Sequence, residues 1–265
     1  MAFCTRACCC LLLVSLALLQ LGMAMDPVGS ICSGGIYPKG SKALANINST
    51  VHELAAKAST SGFATSSIGK GSTAIYGLAQ CRGDVSACRC KACLAAAAGQ
   101  ILKICNDAYE LKIWFDYCFM RYKNANFIGQ MDAGDSVNLA SALTMDNPRT
   151  FQKAVGKVMG KATAQAVAAG SGGLGRAKQQ YTPFVSIYGL AECSRDLPTL
   201  ACAQCLSTAV STFNDSCGAA QGCQINYASC RVHYEIKPFY FPLADGSGAT
   251  TDMTKYDTKT TVGHP

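Results

Sequence analysis

The sequence predicts an α+β protein built from two tandem domains that are crosslinked by disulfides. A cysteine pattern that occurs twice at a constant separation is the first observation. Apolar residues at helical spacing near the start of each copy are the second, and runs of aromatic and β-branched residues near its end are the third. Strands and helices do not alternate one by one, so a parallel sheet of βαβ units is not expected.

The internal repeat determines the domain organisation. Ile75–Cys93 (IYGLAQCRGDVSACRCKAC) is similar to Ile187–Cys205 (IYGLAECSRDLPTLACAQC), and Cys81 and Cys193 are 112 positions apart. The cysteines that recur at this separation are Cys81/Cys193, Cys90/Cys202, Cys93/Cys205, Cys105/Cys217 and Cys118/Cys230. Two copies indicate a duplicated domain and not a solenoid.

Each copy has the same order of predicted elements. The first helix of each copy is predicted at Ser41–Ser59 and at Arg149–Ala169. Alanine-rich helices follow at Cys90–Leu102 and Cys202–Phe213. The segments with strand character are Phe63–Ile68, Ala74–Ala79, Lys112–Tyr122 and Gln224–Tyr240.

The first 24 residues have the pattern of a signal peptide. Arg6 gives a positive start, Cys8–Leu21 is apolar, and small residues precede the predicted mature start at Met25. The apolar run is short for a membrane span, which needs about 20 residues. We therefore expect a secreted, extracellular protein without a transmembrane span.

The domain boundaries follow from the repeat and from turn residues. The predicted organisation is a signal peptide at 1–24, a first domain at 25–130, a linker at 131–136, a second domain at 137–243 and a polar tail at 244–265.

Charge and cysteine content restrict the function classes. The chain carries a formal charge of +7 with scattered Lys and Arg residues, which favours anionic surfaces and does not indicate a nucleic-acid partner. Four of the 17 cysteines lie in the signal peptide, leaving 13 for the mature protein. In an oxidising compartment these are expected to form disulfides, with at least one left over because the number is odd.

The spacings Cys81-x8-Cys90-x2-Cys93 and Cys193-x8-Cys202-x2-Cys205 resemble the plant ginkbilobin-2-homologous (DUF26) family. The flanking segments YGLAQC, YGLAEC, CFMRYK and CRVHYE strengthen the resemblance. It implies, for each domain, two helices packed on a five-stranded antiparallel sheet. It also implies the apoplast as the location, because members include antifungal seed proteins, stress-induced apoplastic proteins, receptor-kinase ectodomains and plasmodesmal proteins.

The resemblance also implies a set of disulfides. Those pairs are Cys32–Cys105, Cys81–Cys90, Cys93–Cys118, Cys193–Cys202 and Cys205–Cys230. The second copy lacks a counterpart of Cys32 and has Cys217 and Cys223 instead, which we expect to pair locally. Cys88 then remains as a free thiol, and the protein is expected to be a monomer or a Cys88-linked dimer.

In a sugar-binding seed member of the family, mannose is held by an Asn, an Arg and a Glu. The matching positions are Ser33, Lys112 and Lys123 in the first copy, and Gln224 and Glu235 in the second. Neither copy keeps the triad, because only the positive charge of Lys112 and the carboxylate of Glu235 are retained. Lys112 and Lys123 also fit an ordinary solvated strand face.

Two functional hypotheses therefore remain open. The first is a defence protein that binds mannose-type carbohydrate and is antifungal. The second is an interaction module that binds a receptor ectodomain or a microbial protein without binding sugar. A glycan is expected on Asn48 in the sequon Asn48-Ser49-Thr50.

An enzyme is not expected. The histidines are His52, His233 and His264, and Cys88 is the sole candidate nucleophile, with no neighbouring feature that would activate it. The Cys-x2-Cys pairs are typical of zinc sites as well as disulfides, but the spacing in a secreted chain favours disulfides. We expect neither a catalytic residue, nor a metal, nor a cofactor.

Overall fold

The structure, a computed structural model, describes residues 25–104 and 107–241. The predicted signal peptide, the tail at 244–265, His264 and Cys105 lie outside the described residues. The elements of the first domain are β1 (Gly29–Ile36), α1 (Lys42–Ser61), β2 (Phe63–Ile68), a 3₁₀ turn (Gly71–Thr73), β3 (Ile75–Cys81), α2 (Ala87–Ile104), β4 (Ala108–Trp114) and β5 (Cys118–Lys123).

The second domain repeats this order. Its elements are β6 (Ser136–Ala140), α3 (Pro148–Ala166), β7 (Leu174–Gln180), β8 (Ser186–Cys193), α4 (Thr199–Ser211), α5 (Phe213–Cys217), β9 (Gly222–Tyr227) and β10 (Cys230–Glu235). Strand β6 begins at the last residue of the predicted linker. The short helix α5 has no counterpart among the described elements of the first domain.

Each domain contains a five-stranded antiparallel sheet, in the orders β1-β4-β5-β3-β2 and β6-β9-β10-β8-β7. The α+β class is confirmed. The run Lys112–Tyr122 is not one strand, because it turns after Trp114 and returns from Cys118, with Phe115 N–H donating to Cys118 O. The run Gln224–Tyr240 divides in the same way into β9, β10 and a terminal segment.

The long helix of each domain lies close to its sheet because of one repeated glycine. A Cβ at Gly77 would lie 2.6 Å from side-chain atoms of Thr50 and Leu54 in α1. A Cβ at Gly189 would lie 2.7 Å from Val158 in α3. The glycine of the repeated IYGL motif therefore allows this close helix–sheet packing.

Disulfides connect the helices to the strands. The described pairs are Cys81–Cys90, Cys93–Cys118, Cys193–Cys202, Cys205–Cys230 and Cys217–Cys223, the pairs given above. Cys32 is also disulfide-bonded. Cys88 is free and exposed near the start of α2.

The two sheets pack against each other through the faces that do not carry the helices. An apolar cluster of Leu78, Trp114, Phe119, Phe127 and Ala228 occupies this interface. Trp114 Nε1 donates to Tyr227 O at 3.2 Å, which satisfies the buried indole N–H across the interface.

Hydrogen bonds across the interface follow the repeat. Gln80 Oε1 accepts from Arg195 N at 2.9 Å, and Glu192 Oε1 accepts from Gly83 N at 2.8 Å. Gln80 and Glu192 are equivalent positions of the repeat, as are Gly83 and Arg195. The interface is therefore approximately symmetric, and it joins the domains into one unit.

The segment after β10 returns to the first domain. Phe241 N donates to Asp84 Oδ2 at 2.7 Å, and Arg82 Nη2 donates to Phe239 O at 3.3 Å. Arg82 and Asp84 are buried and paired with each other, so the tripeptide Arg82-Gly83-Asp84 is an internal connection between the domains.

No helix within residues 25–104 and 107–241 is long and apolar enough to cross a membrane.

Candidate functional site

The candidate sugar-binding residues of the first copy meet on one face of the sheet. Because side chains alternate along a strand, Glu110 and Lys112 share a face of β4, and Arg121 and Lys123 share the same face of β5. The pairing places Glu110 opposite Lys123 and Lys112 opposite Arg121. Ser33 of β1 lies opposite Glu110 on its other side.

Glu110 is the centre of this arrangement, which we call the Glu110 cluster (Ser33, Glu110, Lys112 and Lys123). Ser33 Oγ donates to Glu110 Oε2 at 3.1 Å, and Lys123 Nζ lies 2.9 Å from the same oxygen. Lys112 Nζ lies 3.5 Å from Glu110 Oε1. Glu110 Oε1 accepts no hydrogen bond from any described residue.

Lys112 does not lie on a solvated strand face. It is 3% exposed, and its Nζ lies 2.9 Å from Asp132 Oδ2. Arg121 Nη1 reaches the same oxygen at 3.2 Å, and its guanidinium lies over the ring of Phe127. The segment between the domains covers this end of the sheet, so the solvated-face hypothesis is wrong for Lys112.

Lys123 does lie at the solvent boundary, with 36% of its side chain exposed. Glu110 is 10% exposed beside it. Ser33 and Lys123 are thus the partly exposed members of the cluster, whereas Glu110 and Lys112 are buried beside them.

Opposing influences set the charge state of the two carboxylates. Burial by itself raises the pKa of Glu110, but the hydrogen bond from Lys123 and the charges of Lys112 and Lys123 outweigh burial and lower it below 4.5. Burial likewise raises the pKa of Asp132, and Lys112 and Arg121 lower it further than burial raises it. Both groups are therefore anionic at neutral pH.

The second copy has a different arrangement at the equivalent positions. Gln224 is buried and donates from Nε2 to Asn226 Oδ1 at 3.1 Å. Glu235 Oε1 lies 3.3 Å from His233 Nε2. Gln224 and Glu235 lie on the same face of the sheet, in β9 and β10, but they contact different neighbours. The position equivalent to Glu110 is Gly222, so the second copy has no carboxylate there.

A cavity of about 30 Å³ lies between the sheets, lined by Gln80, Trp114, Phe119 and Arg231 among others. This space holds about one water molecule and not a sugar ring. This cavity is therefore not a sugar site.

No group of three potential metal ligands occurs in the described part of the chain. Of the described histidines, His52 is in α1 and His233 is in β10, whereas Cys88 is in α2.

Glu110, Arg121 and Asp132 were not identified as site residues from the sequence. A signal for Glu110 was present, because AYELKIW places two charges two residues apart in an otherwise apolar strand. Asp132 gave no such signal, since it belongs to a turn-rich segment whose position depends on how the domains pack.

Comparisons with known proteins agree with this architecture. The family pattern described as salt stress response/antifungal matches residues 31–125 and 139–237. The tandem DUF26 ectodomain of the Arabidopsis thaliana cysteine-rich receptor-like protein PDLP8 superposes with a TM-score of 0.71 at 24% identity, over 81% of this chain and all of that one. This likeness supports the fold.

Sequence relatives are more informative about the family. The chain is 40% identical to cysteine-rich repeat secretory protein 55 of Arabidopsis thaliana, over 86% of this chain and 89% of that protein. It is 33% identical to an antimicrobial ginkbilobin-2-like protein of Castanea crenata, over 86% of this chain and 94% of the other. The chain therefore belongs to the salt stress response/antifungal (DUF26) family of secreted, cysteine-rich repeat proteins.

Proposed function

We propose that this protein is a non-enzymatic, apoplastic defence or stress protein that binds a neutral mannose-type sugar at the Glu110 cluster. The observation that carries the proposal is the meeting of Ser33, Lys112 and Lys123 around one carboxylate. Glu110 supplies the anionic group that the family triad has at the position of Lys123.

The chemistry of the cluster suits vicinal hydroxyls. The carboxylate of Glu110 accepts hydrogen bonds, and its Oε2 lies beside the partly exposed Ser33 and Lys123, whereas its Oε1 is buried. Lys123 donates, and Ser33 both donates and accepts. A sugar must compete with the Lys123–Glu110 ion pair, so we expect a dissociation constant on the order of 1 mM for a single unit.

Titration of the secreted protein with methyl α-mannoside and with mannan, followed by calorimetry, tests the proposal. We expect saturable binding by the wild type, loss of binding in Glu110→Gln, and unchanged binding in the matched second-copy variant Glu235→Gln. A Glu110→Gln variant that binds like the wild type, or a wild type that binds neither ligand, would contradict it.

Protein binding is the second candidate function, favoured by the joining of the two domains into one unit through Gln80, Glu192 and the terminal segment. Relatives of the chain include cysteine-rich receptor-like protein kinase 25 and plasmodesmata-located protein 5 of Arabidopsis thaliana. A joined pair of domains presents a surface large enough for a receptor ectodomain or a microbial protein. Capture of a defined apoplastic partner by both wild type and Glu110→Gln would favour this function.

A further inference from the structure

A row of basic residues crosses the exposed face of α3, and the Glu110 cluster does not involve it. Arg149, Lys153, Lys157 and Lys161 follow one another at four-residue intervals, and all four are exposed. Four residues of helix rise about 6 Å, so the charges extend over about 18 Å. We call these four residues the basic row.

Nothing on the helix balances this charge. The segment Pro148–Ala166 contains no Asp or Glu. Among the described residues none of the four cations forms an ion pair, and Lys161 contacts the neutral Gln179 at 3.3 Å. Like charges four residues apart destabilise a helix, and Arg149 also faces the positive end of the helix dipole.

Glycines between the cations add a second unfavourable feature. Gly156 and Gly160 are exposed in the helix interior, where glycine is the least favourable residue after proline. A Cβ at either position would meet no other atom within 4 Å, so packing does not require glycine there. Both features run against helix stability, which is typical of a surface maintained for binding.

The first domain provides a natural comparison. The buried residues of α1 and α3 correspond at a shift of 108 positions, as in Ile47 and Val155. At that shift, the positions of the basic row are Ser41, Ala45, Ser49 and Glu53 in the first domain. The equivalent face of α1 is therefore nearly neutral, and its Glu53 is paired with Lys57.

We propose that the basic row binds a linear, carboxylated polysaccharide in the extracellular space. A line of uncompensated cations that extends over about 18 Å is complementary in charge to a linear polymer that carries carboxylates along its length. The glycines leave the helix surface low between the cations, so a chain can approach it closely. A membrane surface fits less well, because the exposed face of α3 has no large apolar side chain.

Binding of the secreted protein to sodium polygalacturonate, measured by calorimetry at several salt concentrations, tests this proposal. We expect binding that weakens as salt increases, and no binding to the fully methyl-esterified polymer. Replacing all four residues of the basic row with Gln should reduce affinity about tenfold or more at physiological salt.

A first-domain variant gives the matched control. Replacing Lys39, Lys42, Lys57 and Lys70 with Gln removes the same charge from exposed positions, and we expect affinity close to that of the wild type. Equal losses in the two variants would show that net charge alone is responsible and would overturn the proposal. Gln is a good helix former, and a thermal melt verifies that each variant is folded.

Two further measurements distinguish a carboxylated polysaccharide from other anionic partners and from the mannose proposal. Binding to phosphatidylserine vesicles or to duplex DNA, with none to polygalacturonate, would also overturn the proposal. Glu110→Gln should bind polygalacturonate like the wild type, so this proposal and the mannose proposal can fail independently.

Discussion

The two copies have the same framework and different surfaces. Both contain a bridge from the second helix to the last strand, Cys93–Cys118 and Cys205–Cys230, each spanning 25 positions. The polar faces differ, because the first copy has the Glu110 cluster on its sheet and the second has the basic row on its helix. Stability is thus provided by elements that the copies share, and the candidate binding functions by positions where they differ.

The largest expected effect comes from removing a shared bridge. Cys93→Ser with Cys118→Ser should lower the free energy of unfolding by about 3.5 kcal/mol, because the bridge closes a long loop. Cys217→Ser with Cys223→Ser opens a loop of six positions and should cost about 2.2 kcal/mol. Denaturant unfolding measures both.

The matched control for loop length is Cys205→Ser with Cys230→Ser, which should cost the same as the first pair. A smaller loss for the Cys93 pair than for the Cys217 pair would contradict this account of the framework.

The next effect compares two equivalent aspartates. Asp84 is buried against Arg82 and accepts from Phe241 N, so Asp84→Ala leaves the buried charge of Arg82 without its ion-pair partner and should cost about 3 kcal/mol. Its counterpart Asp196 is half-buried and accepts from Ser194 Oγ and Gly129 N. Asp196→Ala should cost about 1–2 kcal/mol. Similar losses in thermal or chemical unfolding would show that the terminal segment does not depend on the Arg82–Asp84 pair.

A smaller effect is expected on the pH dependence of the free energy of unfolding, to which Glu110 and Asp132 contribute. The pKa values of Glu110 and Asp132 are lowered in the folded state, so their contribution to stability is present above the unfolded pKa and is lost as the pH falls through the folded pKa. Unfolding measured between neutral pH and pH values below 4.5 should show the wild type losing stability faster than Glu110→Gln with Asp132→Asn. Parallel curves would mean that the cluster contributes no such stabilisation.

The smallest expected effect on stability concerns Cys88. Because this thiol is free and exposed, Cys88→Ser should change the free energy of unfolding by less than about 0.5 kcal/mol. If the protein forms a Cys88-linked dimer, the wild type alone should run as a dimer on non-reducing electrophoresis. Monomers in both samples would exclude that dimer.

The sequence was sufficient for the framework because cysteine register and helical periodicity are local signals. Cys81 and Cys193 align the copies, and apolar residues at helical spacing locate α1 and α3. The interface between the domains could not be predicted from the sequence. Gln80 and Glu192 occupy equivalent positions, but their hydrogen bonds to the other domain form only because the two sheets pack face to face.

Part of the candidate site could be predicted from the sequence. Ser33, Lys112 and Lys123 were located by comparison with the family, and strand pairing brings them together. The burial of Lys112 depends on Asp132, which lies 20 positions away in the segment between the domains. That contact is a product of tertiary packing, and no pattern within either strand encodes it.

One glycan array tests the central claim, that the copies differ in binding through different surfaces. The wild type, Glu110→Gln and the Gln variant of the basic row are applied to the same mannose-type and uronate-type glycans. We predict that Glu110→Gln loses the mannose-type signals alone and that the basic-row variant loses the uronate-type signals alone. Loss of both signals together in either variant, or their absence in the wild type, would contradict the account.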